Sequence, residues 1–150
     1  MCPPPATSTP VVPDDALGRA SYFRQASAEL AGTDLIFFDP DNGLDIPSKA
    51  KGRRDSSKFV YRDEVAATYN AGPSVLVYQH FPREERGAYV RRIAASLRPS
   101  VPDAALWAFR TSKVLFFLAA QPRRQEVLSR AAAELASRAG GLFVAVERIE

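Results

Sequence analysis

Apolar positions along the chain follow two rhythms, and the changes between them mark the elements. Ala16, Ala20, Phe23, Ser27 and Leu30 recur at helical spacing. This predicts a helix capped by Asp14 or Asp15, running to about Ala31 and stopped by Gly32. Leu35-Ile-Phe-Phe38 has no polar position, the signature of a strand buried on both faces, here spanning 34–38. Asp63 and Glu64 open a second helix at the positive end of its dipole, with Val65 and Tyr69 one turn apart and Gly72-Pro73 ending it. Ser74 to Gln79 is a second buried strand. Pro82 starts a third helix that turns Val90, Ile93 and Leu97 inward and Arg91 and Arg92 outward, closed by Pro99 and Pro102. Ala104 to Arg110 and Val114 to Ala119 read as strands joined by a hairpin at Thr111-Ser112-Lys113. Pro122 begins a last helix with Leu128, Ala131 and Leu135 on one face. Gly140-Gly141 follows it, and Leu142 to Ile149 is a final strand.

Helices alternating with strands predict an α/β domain with a mainly parallel, Rossmann-like sheet, the hairpin adding antiparallel pairing near one edge. The proline-rich residues 1–13 are expected to be a disordered or extended tail, leaving 14–150 as a single domain. A chain of 150 residues with 46% hydrophobic content can build such a core. No apolar run approaches the roughly 18 residues that span a bilayer, and the N-terminus lacks the charged start and apolar stretch of a secretion signal. The lone Cys2 has no partner for a disulfide and no companions for zinc, so a reducing, cytoplasmic setting is expected. A net charge of +3 is too small to imply a polyanionic partner unless it clusters. Lys49, Lys51, Arg53, Arg54 and Lys58 do cluster, broken by Asp55. They read either as a solvated loop or as an arm facing the phosphates of a small-molecule or nucleic-acid substrate.

Chemistry concentrates just before that cluster. Asp39, Asp41, Asn42 and Asp45 follow the apolar strand around Pro40 and Gly43, which force a loop. Carboxylates past the carboxyl end of a buried strand sit where open α/β sheets place ligands. His80, the only histidine, ends the second strand. A parallel neighbour would bring it beside Asp39, where it could act as a base or orient a substrate. Asp39, Asp41 and His80 are therefore the candidate catalytic residues, with Pro40, Asn42 and Asp45 as substrate-binding candidates. From Asp39 to about Lys58 the connection is longer than most, and loops of this length are usually functional or disordered.

Three stretches carry a resemblance: Phe38-Asp-Pro-Asp-Asn-Gly-Leu-Asp45, Lys58-Phe-Val-Tyr-Arg-Asp-Glu64 and Val77-Tyr-Gln-His80. Together they resemble an uncharacterised prokaryotic family. More broadly, strand, Asp-Pro-x-x, helix, strand, helix and antiparallel hairpin is similar to the C-terminal half of class I methyltransferases that use S-adenosylmethionine. In the amino-methylating branch of those enzymes, an acid or amide and the proline carbonyl accept hydrogen bonds from the target amine. Asp39 and Pro40 would hold those roles here. Asp41 stands where that pattern has proline and Asn42 where it has an aromatic. The missing platform removes about 1–3 kcal/mol of base stacking. The resemblance also implies a glycine-rich cofactor turn N-terminal to Asp34, and no G-x-G occurs in the chain. It therefore implies either the C-terminal half of a longer protein or a shortened relative without that cofactor. A second copy covering the edge at Leu35–Phe38 is a further arrangement.

Asp39-x-Asp41 after an apolar strand is also similar to the first motif of haloacid-dehalogenase-like phosphatases, which hold magnesium. Gly43 replaces the threonine or valine expected there, and Lys113, the candidate phosphate-binding lysine, falls in the hairpin turn. A Mg²⁺-dependent nuclease would use Asp39, Asp41 and Asp45 with Lys49 or Lys51. A non-catalytic binding module is the remaining class.

Overall fold

The computed structural model describes residues 11–138 and 145–149. Helix α1 spans Ala16–Glu29 and leads into strand β1, Leu35–Phe38. A long connection with a 3-10 turn at Ser56–Lys58 reaches α2, Arg62–Asn70. Strand β2 (Ser74–His80), helix α3 (Arg86–Leu97), strands β3 (Ala105–Arg110) and β4 (Val114–Ala120), helix α4 (Gln125–Arg138) and strand β5 (Ala145–Ile149) follow. The expected start of the final strand at Leu142, the glycine pair at 140–141 and the tail residues 1–10 lie outside the described residues.

Among the described residues five strands form one mixed sheet in the order β1-β2-β4-β3-β5. Only β1 and β2 pair in parallel; β2 with β4, β4 with β3 and β3 with β5 are antiparallel. The expectation of a mainly parallel sheet is therefore corrected, and so is the position of the hairpin. Strand β4 inserts between β2 and β3, placing the β3–β4 pair inside the sheet. Local patterning shows that Ala105 to Ala120 forms a hairpin but not which of its strands meets β2.

A core of buried side chains fills the space between one sheet face and helices α2 and α3. Val75, Val77, Leu106, Ala108, Leu115 and Phe117 supply the sheet side; Val65, Tyr69, Val90, Ile93 and Leu97 supply the helices. On the opposite face α4 contributes Ala132 and the half-buried Leu128, packed with Ala105, Phe109, Leu118 and Ala120. Residue 131 turns outward and Leu135 is 39% exposed, so the buried stripe of α4 is displaced from the expected one. Helix α3 starts at Arg86, later than Pro82, because the Glu85 carboxylate accepts from the backbone N–H groups of Ala88 (2.6 Å) and Gly87 (2.7 Å). Those bonds, Ala88 first, hold the Glu85 carboxyl below its ordinary pKa.

Strand β1 departs most from expectation. It occupies the sheet edge, with Leu35 43% and Phe37 49% exposed. The inward stripe of α1 also differs. Arg19, Tyr22, Phe23 and Ala26 turn toward the body, while Ala16, Ala20, Ser27 and Leu30 are exposed. Arg19 is 2% exposed and makes a forked pair with Glu64, Nε to Oε1 at 2.5 Å and Nη2 to Oε2 at 2.9 Å. It also donates to the carbonyls of Ser56 (3.1 Å) and Phe59 (2.6 Å). An arginine on the buried face of a helix is stable only because every face of its guanidinium has a partner.

Asp14 ties the start of α1 to the same loop. Its carboxylate accepts from the N–H groups of Ser57 (2.7 Å) and Asp55 (2.9 Å), and these bonds, Ser57 first, lower its pKa from 3.8 to about 2. A depressed folded-state pKa means the contact stabilises the fold above about pH 3.8 and is lost as pH falls toward 2. Asp14→Asn is expected to remove this part of the acid dependence. Backbone amide shifts of Ser57, followed by NMR from pH 5 to 2 (about the range of carboxyl titration), should titrate in the wild type and stay flat in the variant.

Candidate functional site

Strand β1 delivers Asp39 to the carboxyl end of the parallel β1–β2 pair, and the chain turns at once. The Gly43 N–H donates to the Pro40 carbonyl at 3.3 Å, so Asp41 and Asn42 form the tip of a four-residue turn. Gly43 leaves that turn with φ +86°, in the left-handed region. Segment 58–60 then zips alongside. Asn42 N–H donates to Lys58 O (2.9 Å), Val60 N–H to Gly43 O (3.1 Å) and Asp45 N–H to Val60 O (2.9 Å), closing a parallel bridge between Leu44 and Val60. The long connection is thus a folded strap and not a loose loop.

Gln79 supports the turn from below. Along β2 the side chains of Val75, Val77 and Gln79 face the core, and Gln79 is 6% exposed. Its Oε1 accepts from Leu44 N–H at 2.8 Å, and its Nε2 donates to the Tyr89 hydroxyl at 2.6 Å. A Cβ on Gly43 would fall 2.4 to 2.6 Å from the Gln79 amide. Only glycine permits this approach. Burial raises the Tyr89 pKa, opposed by the Gln79 hydrogen bond, which keeps the phenol a neutral acceptor for that amide.

His80 lies on the opposite face of β2 and braces the turn tip. Its Nε2 is 2.9 Å from the Asp41 carbonyl oxygen, and its Nδ1 is 3.4 Å from the Tyr78 hydroxyl. A carbonyl can only accept, so the Nε2 contact is made by an N–H of the ring. The expected proximity of His80 to the acidic loop is realised. Both ring nitrogens lie within 3.4 Å of protein partners, and the Nε2 contact braces the turn.

The acidic residues divide into two groups. Asp45 is half-buried and structural: its Oδ1 accepts from the backbone N–H of Arg62 (3.0 Å) and from Arg62 Nη1 (2.7 Å), capping α2. Asp39 and Asp41 are exposed, and among the described residues neither carboxylate has a hydrogen-bond or ion-pair partner. The three aspartates do not converge; among the described residues no group of three or more His, Cys, Asp or Glu side chains is placed to hold a metal. Three of the five basic side chains meet a carboxylate. Lys49 donates to Arg54 O (3.0 Å), Lys51 pairs with Asp63 (2.6 Å) and Glu64 (3.3 Å), and Lys58 (3.2 Å) and Arg54 (3.7 Å) pair with Asp55. Arg53 alone of the five has no side-chain partner among the described residues.

A cavity of about 460 Å³ opens beside Asp39, Pro40 and Asp41, between α1 and β1. Tyr22, Phe23, Ile36, Phe38 and Phe59 line its walls, and the Phe23 and Phe38 rings lie 6.2 Å apart. Lys58 reaches the same rim. The site is therefore an apolar, aromatic-walled pocket whose lining includes two exposed carboxylates without partners among the described residues. Such a pocket suits a ligand with an apolar body and a cationic or hydrogen-donating end. The sequence reading missed Gln79 and Arg19. A polar residue at an inward position of an otherwise apolar strand, and an arginine at helical spacing with Tyr22, Phe23 and Ala26, were the available signals.

Comparison with protein-family models, curated proteins and solved structures found no match to this chain. Among the described residues no helix is long and apolar enough to cross a membrane.

Proposed function

We propose that this domain holds an amine-bearing acceptor at Asp39 and Asp41, as the acceptor-binding part of a methyltransferase-like domain. The observation that carries this reading is the pair of exposed carboxylates, without partners among the described residues, in the lining of an aromatic-walled cavity. The order of strand, Asp-Pro turn, helix, strand, helix and antiparallel hairpin supports it further.

An amine is a cation at neutral pH, and a carboxylate accepts its N–H groups with charge-assisted bonds of about 1.5–3 kcal/mol. Asp39 is placed to accept them at the strand end. The Pro40 carbonyl already accepts from Gly43 and retains its second lone pair. His80 and Gln79 fix the turn from its two sides, so the acceptor geometry is set before a ligand arrives. The residues present do not fit S-adenosylmethionine by themselves: α1, and no glycine-rich turn after an earlier strand, precedes β1 among the described residues.

Benzylamine, which combines an aromatic body with an ammonium group, is a direct probe. Calorimetric titration is expected to show saturable binding that weakens about tenfold in the Asp39→Asn/Asp41→Asn variant, the factor for about 1.4 kcal/mol. Benzyl alcohol should not distinguish the two proteins. Equal benzylamine affinity for wild type and variant would overturn the assignment. Loss of binding in both Asp→Asn and the turn-distorting Gly43→Ala proteins would agree with it.

A further inference from the structure

The outer edge of β1 has no pairing strand among the described residues. Natural edge strands are usually blunted by a lysine, a proline, a bulge or a covering element. Leu35-Ile-Phe-Phe38 has no charge or proline within it, and its register with Ser74 to Val77 is unbroken. On one side of this edge Leu35 and Phe37 are 43% and 49% exposed; on the other, Ile36 and Phe38 line the aromatic cavity. The two ends of the strand differ in charge. At the amino end Asp34 is paired with Arg124. At the carboxyl end the Asp39 and Asp41 carboxylates lack partners among the described residues.

We propose that the β1 edge binds an extended segment of a partner polypeptide as an added strand, with a lysine of that segment placed at Asp39 and Asp41. Strand addition takes affinity from main-chain hydrogen bonds and specificity from alternate side chains. Here the alternation is supplied by the Leu35/Phe37 face and the cavity face, and the polarity by the unpaired acids. A second copy of this chain complements the edge less well. An antiparallel twin would bring its Asp34 end to Asp39, where Arg124 is already held by Asp34 and Arg123 by the Gly72 carbonyl. The inference rests on the amine reading of Asp39 and Asp41, and it specifies the amine as a lysine on an extended polypeptide.

The test is fluorescence anisotropy with labelled peptides alternating valine and serine and carrying lysine at the amino or the carboxyl end. One of the two is expected to bind. Replacing its lysine with glutamine should weaken binding about tenfold, and Asp39→Asn/Asp41→Asn should erase that preference. Methylating alternate backbone nitrogens of the peptide should weaken binding at least about tenfold, because the ladder donors are lost. Phe37→Lys, at an exposed position, should abolish binding without unfolding the protein. An N-methylated peptide that binds unimpaired, or an indifferent Phe37→Lys, would overturn strand addition. So would concentration-dependent self-association abolished by Phe37→Lys with no peptide binding, which would assign the edge to a second copy. If strand addition alone fails, benzylamine still binds and no peptide does. If the amine reading fails, lysine and glutamine peptides bind alike, and the lysine assignment falls with it.

Discussion

Arg19→Ala is expected to destabilise the protein by about 3–5 kcal/mol, the range for stripping one partner from a buried ion pair. Arg19 is 2% exposed and joins α1 to Glu64 at the start of α2 and to the carbonyls of Ser56 and Phe59. The effect should fall toward the lower end of that range. Glu64 keeps the Tyr61 N–H at 2.9 Å and Lys51 at 3.3 Å after the guanidinium is gone. Arg19→Lys should recover only part of the loss, because an ammonium cannot reproduce the forked geometry. Arg19→Ala/Glu64→Gln should be more stable than Arg19→Ala alone. The amide keeps an acceptor for Tyr61 and removes a buried charge that has lost its forked partner and retains only the 3.3 Å contact with Lys51. Urea unfolding followed by circular dichroism measures all three. A change within about 0.5 kcal/mol for Arg19→Ala, the range of ordinary surface substitutions, would show that α1 is not held by this pair.

Gly43→Ala is the second large effect, expected at about 2–4 kcal/mol. A non-glycine residue held at positive φ costs about 1–3 kcal/mol. In addition, the new Cβ would meet the Gln79 amide at 2.4 to 2.6 Å. Gln79 must move, and the buried Leu44 N–H then loses its acceptor, worth about 1–3 kcal/mol when left unmade. Gln79→Ala removes the same acceptor and leaves the Tyr89 hydroxyl without its donor. The two substitutions should therefore be sub-additive: in the double variant the added methyl has no amide to strike. Additive losses would mean that glycine is needed only for its φ. Since the turn at Pro40–Gly43 sets the direction of Asp39 and Asp41, Gly43→Ala should also weaken benzylamine binding. Arg19→Ala should leave it closer to wild type wherever the protein remains folded.

The sequence made the positions of the elements legible because their signals are local: Asp15 caps α1 at Gly18 N–H, Gly72-Pro73 ends α2, and Val90, Ile93 and Leu97 lie on the buried face of α3. Strand order was not legible. Leu-Ile-Phe-Phe has the composition of a central strand, yet β1 is an edge, since periodicity records what a strand could bury and not what pairs with it. The insertion of β4 between β2 and β3 was hidden for the same reason. At the site, the crowding of Asp39 and Asp41 and their approach to His80 could be read from strand ends. The separate duty of Asp45 could not, because it depends on Arg62, which is remote in sequence and reaches it through the fold. The basic cluster could be read from the sequence, but not which of its charges are paired: the folded strap brings Asp63 and Glu64 to Lys51, and Asp55 to Arg54 and Lys58.

The most direct test is a paired calorimetric titration of the chain, first with benzylamine and then with Mg²⁺ in the same buffer. Saturable heat from benzylamine and none from Mg²⁺ is the expected result, with Asp39 and Asp41 as acceptors for an ammonium group. Heat from Mg²⁺ with silence from benzylamine would contradict it and make the two aspartates metal ligands in phosphoryl chemistry.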